Sequence, residues 1–198
     1  MPTSISLKGR WAQLLPLDRS HLPALETAAS DGRLWELFFT SVPAPHLLEN
    51  WFTTAMTLQE KALAQPFVVV DTETNKIIGS TRYCNIDSTN KRLEIGYTWY
   101  AASYQRSAIN TECKLLLLTH AFEVLACNAV EFRTDWFNHR SQAAIERLGA
   151  KRDGVLRSHT IMPDGRVRDT VVYSILKHEW DGIKANLNFK LHSHSQSR

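Results

Sequence analysis

Two short runs hold the residue types from which a site for a phosphate-bearing substrate could be built. The first, Ser103-Tyr104-Gln105-Arg106-Ser107-Ala108-Ile109-Asn110-Thr111-Glu112, falls where a strand pattern gives way to a long helical one. A strand–loop–helix junction presents backbone N–H groups at the positive end of a helix, so it can hold a phosphate or pyrophosphate. Arg106 adds a cation at its mouth. The second run, Asp135-Trp136-Phe137-Asn138-His139-Arg140-Ser141, leads into a shorter helix. Asn138 suits the N-cap of that helix, and Ser141 falls in its first turn. Glu94 shares a strand face with Gly96 and Thr98. A carboxylate inside a cleft can accept a proton when burial lifts its pKa. The competing expectation for Glu94 is a cross-strand ion pair with Arg82 or Arg92. Glu112, one turn into the long helix, reads as a partner for the helix dipole.

Other chemistries find less support. No Gly-x-Ser-x-Gly elbow is present, which disfavours a serine hydrolase. Cys84, Cys113 and Cys127 match no metal spacing and lie in strand or helix patterns, not at a helix start where a thiolate is favoured. No metal is expected. His120 reads as a packed histidine, and His178, His192 and His194 as solvated residues of a polar C-terminal tail. Trp35, Phe38 and Phe39 are either core or a substrate groove.

The elements that must position these residues follow from periodicity. Gly9 to Leu17 reads as a strand, and Asp18 and Ser20 cap a helix through Ala29. Leu47, Leu48, Trp51, Phe52, Ala55 and Met56 recur at helical spacing. Pro66 to Asp71 and Ile77 to Tyr83 form a hairpin across the turn Thr72–Lys76. Leu93, Ile95, Tyr97 and Trp99 alternate with polar and small residues as a third strand. Ser107 to Cys127 is helical and apolar around much of its circumference, Ala129 to Asp135 a strand, and Asn138 to Leu148 a helix stopped at Gly149. Lys151–Met162 and Val167–Lys177 close a hairpin over Pro163-Asp164-Gly165-Arg166. The order predicts an α+β domain with a mostly antiparallel sheet and one βαβ crossover near residues 95–135. The expected organisation is a single domain over 1–182 and a polar, basic, fraying tail over 183–198.

The chain has 198 residues, 43% of them hydrophobic and 22% charged, enough for one well-filled domain. Its formal charge of +3 is matched by Lys184, Lys190 and Arg198 in the last fifteen residues, which carry no acid. The remaining body is neutral, without the electrostatic footprint of a duplex nucleic-acid binder. Met1 to Lys8 lacks the apolar run of a signal peptide, and no apolar stretch approaches a membrane span. These features lead to the expectation of a cytoplasmic protein that binds neither nucleic acid nor membrane.

The element order, the Gln105-x-x-Ala108-x-Asn110 loop, the Asp135–Ser141 run and Glu146-Arg147-Leu148-Gly149-Ala150 together resemble the GNAT acetyltransferases. The resemblance covers roughly residues 9–180 and is nearest to the branch containing the ribosomal-protein alanine N-acetyltransferases. Ala108 and Asn110 stand where the family loop usually carries glycine or another small residue. The resemblance implies a domain that binds acetyl-CoA and passes the acetyl group directly to a primary amine, either a peptide N-terminus or a small molecule. It implies that the amides of the Gln105, Arg106, Ser107, Ala108, Ile109 and Asn110 loop take the pyrophosphate of coenzyme A. Trp99 and Tyr100 would pair with the pantetheine arm, and an N–H near Thr98 or Trp99 would face the thioester oxygen. Asn138 would contact the arm, Ser141 would protonate the leaving thiolate, and Glu94 would deprotonate the amine. A homodimer is a further expectation. The alternative is a module that keeps coenzyme A or another phosphate ligand without catalysis. On this reading, removal of residues 184–198 leaves an acetyltransferase largely active.

Overall fold

The computed structural model describes residues 5–40 and 42–196, with side chains through Ser193. Strands β1 (Leu7–Lys8) and β2 (Ala12–Pro16) precede helices α1 (Leu22–Ser30) and α2 (Leu48–Glu60). Then come β3 (Gln65–Asp71), β4 (Lys76–Asp87), β5 (Arg92–Tyr100), α3 (Ala108–Thr119) and β6 (Ala129–Asp135). Helix α4 (His139–Glu146), β7 (Lys151–Ile161), β8 (Val167–Leu176) and α5 (Trp180–Gln196) complete the order. All eight strands join one sheet in the order β1-β2-β3-β4-β5-β6-β8-β7. Its pairs are antiparallel except β5 with β6, which the α3 crossover makes parallel. The fold is α+β, as the periodicity predicts.

Strand β3 is buried along its whole length because both faces of the sheet are covered. Phe67 and Val69 pack with Leu117 and Leu118 of α3, whereas Val68 and Val70 pack with Leu25 of α1 and Phe52 of α2. Alternating side chains thus feed two apolar layers.

Strand β5 is irregular where it matters. Ser80 pairs with Trp99 and Arg82 with Gly96, so two steps along β4 answer three along β5. The extra residue makes a bulge, and Tyr97 adopts φ +50° there. On its other edge β5 pairs with β6 only at Arg92, Glu94 and the Leu93 between them. Beyond Glu94 the two strands part.

Four expectations are corrected. The first strand is a hairpin, because the chain turns at Gly9 and folds back. Glu112 holds that turn: its carboxylate accepts the backbone N–H groups of Arg10 (2.8 Å), Trp11 (2.7 Å) and Ala12 (2.7 Å). It is a clamp between α3 and the N-terminal hairpin, not merely a dipole partner. A Cβ on Gly9 would meet the Glu112 carboxylate at 2.3 Å. The long helix also stops early: α3 passes into a π-turn over His120–Val124, leaving Cys127 in the following loop.

The largest correction concerns residues 183–196 of the expected tail; Ser197 and Arg198 lie outside the described residues. Residues 183–196 do not fray after Trp180 but continue as α5 to Gln196. Trp180, Ile183, Leu187 and Leu191 fall on one helical stripe, all are buried, and the first three join the main core cluster. The Nδ1 of His192 lies 2.7 Å from the Asn188 carbonyl, while the His194 side chain lies outside the described residues.

Glu112→Ala would strand three backbone donors and is expected to cost about 3 kcal/mol in denaturant unfolding. Removing residues 184–198 would expose the core under Leu187, so the truncated chain is expected to melt well below the full chain or to aggregate.

Candidate active site

The parting of β5 and β6 opens a cavity of about 890 Å³ that reaches both faces of the sheet. On the α3 side its wall includes Tyr100, Asn110, Thr111, Lys114, Ser141 and Ile145. On the other side it includes Leu34, Leu37, Phe39, Val42, Arg133 and Arg168. Thr98, Trp99, Gln105, Arg106, Ser107, Ala108 and Asn138 also line it. Residues expected from three separate sequence segments therefore meet at one opening. Ile109 does not line it; its side chain is buried in the core cluster.

The loop before α3 has the shape an anion needs. Gln105 is extended, Arg106 takes φ +60°, and Ser107 is the extended N-cap of α3. The N–H groups of Arg106, Ser107 and Ala108 make no hydrogen bond to another described residue. That of Ile109 is donated to Ser107 Oγ, at 3.4 Å. Gln105 ties the loop down by donating from Nε2 to the Tyr100 carbonyl (3.1 Å), and Arg140 donates to its Oε1. Asn110 accepts from the Tyr100 hydroxyl at 3.2 Å, so the departure from a small residue is absorbed by the β5 wall.

Asn138 caps α4 by accepting the Ser141 N–H at 3.0 Å, and its Nδ2 makes no hydrogen bond among the described residues. Ser141 Oγ likewise has no partner among them, at a half-buried place in the first turn of α4. His120 packs face to face on Tyr83, the centroids 6.1 Å apart, away from the cavity wall. Phe39 lines the cavity, Phe38 meets Phe39 edge-to-face and Phe137 at a tilt, and Trp35 packs in the α1–α2 layer.

Glu94 stands one residue back from the wall. Its carboxylate accepts from Asn85 Nδ2 at 2.8 Å and lies 3.5 Å from Arg133 Nε. The expected ion pairs with Arg82 or Arg92 do not form, because Arg92 pairs with Glu131 and Arg82 stacks between the Trp51 and Tyr97 rings. Burial raises the Glu94 pKa, against the lowering pull of Asn85 and Arg133. A Cβ on Gly96 would meet its Oε1 at 2.8 Å, so glycine keeps the carboxylate beside the opening.

The residues that sequence reading missed are cations. Arg147 from the end of α4 and Lys190 from α5 join Arg106 and Arg140 on the wall. Lys190 was hidden in the supposed tail. Lys114 is buried, and its Nζ donates to Thr98 Oγ1 at 2.7 Å; Thr98 in turn shares a 2.7 Å hydrogen bond with Thr81. The signal was its phase: Lys114 is one turn beyond Asn110 and four residues before Leu118, on the buried side of α3. Burial pulls its ammonium down to about 8.

That shift has a signed consequence. Between pH 8 and the ordinary lysine value of 10.5, the unfolded chain holds a proton that the folded chain has lost, so stability rises with pH across the window. Below it the buried charge costs its full amount. Lys114→Met is therefore expected to stabilise the fold by on the order of 1–3 kcal/mol below pH 8. The gain should shrink toward pH 10.5 in thermal melts run across that range.

Residues 13–151 match the model of the acetyltransferase (GNAT) domain. A Bacillus subtilis protein provisionally named ribosomal N-acetyltransferase YdaF is 38% identical over 100 residues, 50% of this chain and 54% of that protein. The uncharacterized N-acetyltransferase p20 of Bacillus licheniformis is 29% identical over 60% of this chain and 66% of its own. The chain thus spans about half of the first of these relatives and just under two thirds of the second. A solved GCN5-related N-acetyltransferase from Brucella melitensis superposes with a TM-score of 0.85 at 29% identity, covering 96% of this chain and 86% of that one. With the family model covering more than half of the sequence, the chain belongs to the GNAT acetyltransferases.

Proposed function

We propose that the protein transfers an acetyl group from acetyl-CoA directly to a primary amine, on a peptide N-terminus or a small molecule. The observation that carries this reading is the open edge of β5. From Ile95 to Tyr100 the strand has no β6 partner, and that edge faces the cavity that the Arg106–Ala108 loop enters. An extended amide-bearing arm such as pantetheine can pair with it as an added strand does. The unpaired amides of Arg106 to Ala108 and the cations Arg106, Arg140, Arg147 and Lys190 suit its phosphates.

In this proposal the amine nitrogen attacks the thioester carbonyl from the Phe39 side of the sheet. Glu94 takes the ammonium proton, directly or through a water, its raised pKa bringing it nearer the working range of a general base. A backbone N–H near Thr98 or Trp99, beside the Tyr97 bulge, stabilises charge on the carbonyl oxygen in this proposal. The attacking nitrogen releases its second proton to solvent as the C–S bond breaks, and Ser141 gives its hydroxyl proton to the departing thiolate, recovering one from solvent. Thr98, Trp99, Tyr100 and Asn138 hold the arm. Residence in the cytoplasm and pairing of two copies along the exposed edge strand β7 complete the proposal.

Acceptor-dependent release of coenzyme A thiol, followed with an amine panel, tests the reading. Glu94→Gln is expected to lower kcat by about 100-fold or more and to remove the acid limb of its pH profile, with coenzyme A affinity kept. Ser141→Ala is expected to lower kcat by about tenfold or more on the same terms. Tight coenzyme A binding with no turnover for any amine would favour the non-catalytic module instead.

A further inference from the structure

The acceptor side of the cavity carries more positive charge than its own acids can neutralise. Arg133 and Arg168 line it, Arg82, Arg92 and Arg166 do not but share its partners, and the five guanidiniums stand against the carboxylates of Glu94, Glu131 and Asp135. Arg92 and Arg133 are satisfied by the two glutamates. Asp135 is fully buried and already occupied: it accepts Arg166 Nη2 at 2.8 Å and the Phe137 N–H at 2.9 Å. Arg168 is left with an oxygen 3.9 Å away, beyond hydrogen-bond reach, and its buried Nε has no partner among the described residues. Behind it, the buried Arg82 presses on the Tyr97 ring at 4.2 Å, and its Nε and Nη2 are also without partners among them. Buried guanidinium donors without acceptors are costly, and a protein keeps them where a ligand supplies the acceptor.

Arg166 Nε is unpartnered among the described residues as well, and of these three arginines only Arg168 lines the cavity, on the same wall as Phe39 and Arg133 and within the field of Glu94. Glu94, one residue behind this wall, thus offers a carboxylate for an ammonium, and Arg168 on the wall a guanidinium whose Nε–H has no partner among the described residues. We infer that the acceptor is an amine bearing a carboxylate a few bonds from its nitrogen, and that Arg168 is the residue that selects it. This rests on the acetyl-transfer reading above. A free amino acid and a peptide N-terminus followed by an acidic side chain share that chemistry.

The test compares matched acceptors with acetyl-CoA: free amino acids against their amides, and short peptides with Asp or Glu at the second residue against Asn or Gln. The carboxylate member of a pair should show a kcat/KM about 10- to 100-fold higher. The arm that shows the preference tells the free amino acid from the peptide. Arg168→Gln should bring the ratio near one while calorimetric affinity for coenzyme A is unchanged. Arg168→Lys, which keeps a charge on a smaller change of shape, should retain part of the preference.

A wild-type ratio near one, or a ratio untouched in both variants, overturns the inference. Where no acceptor turns over, the same pairs are titrated into the coenzyme A-loaded protein, and equal or absent binding of the carboxylate members overturns it as well. Absence of coenzyme A binding would instead strike the parent reading, and the two failures are told apart by that titration.

Discussion

Everything distinctive about this molecule depends on β5 and β6 ceasing to pair after Glu94 and Glu131. These two carboxylates lie directly opposite each other in a parallel ladder, an arrangement that would repel if left alone. Arg133 bridges them, at 2.9 Å from Glu131 and 3.5 Å from Glu94, while Arg92 takes the other oxygen of Glu131 and Asn85 donates to the same Glu94 oxygen, Oε2. The ion cluster closes the last rung of the ladder. Past it β5 bends at the Tyr97 bulge, and the gap that follows is the cavity. The same cluster holds the candidate base at the apex of the opening, so architecture and chemistry share their residues.

The cavity is electropositive at both ends for different reasons. Toward the Arg106 loop, cations from the loop, α4 and α5 converge where phosphates would arrive. Toward the α1–α2 segment, Arg168 is left over after Asp135 has paired with Arg166. Between them Lys114 sits under the splay with a threonine hydroxyl as its hydrogen-bond acceptor. A buried ammonium held this way is easily discharged, which is why its pKa falls to about 8.

Much of this was legible in the sequence where one pattern dominated locally. The β3–β4–β5 meander announced itself through β-branched alternation and polar turns, and the loop at Gln105–Asn110 through the change from strand to helix period. Asn138 was readable as a cap, and its geometry is that of a cap. What stayed hidden was whatever depended on contacts far apart in the chain. Glu112 looked like a dipole partner because its three donors lie about a hundred residues away. The α5 stripe of Trp180, Ile183, Leu187 and Leu191 was masked by the lysines and asparagines between them and the histidines that follow. Lys114 shows only its helical phase and Arg168 no local mark of function: the parting of the strands brings both to one cavity, on opposite sides.

The central claim is that the gap beside β5 reads a pantetheine arm. Calorimetric titration of the full chain with acetyl-CoA, coenzyme A and ADP tests it most directly. Micromolar binding of acetyl-CoA and coenzyme A, clearly tighter than ADP, is the predicted result, because only the first two carry the arm. Equal affinity for all three would mean that the loop grips phosphate while the β5 edge contributes nothing. No binding at millimolar ligand would contradict the account outright, leaving the fold without the function built upon it.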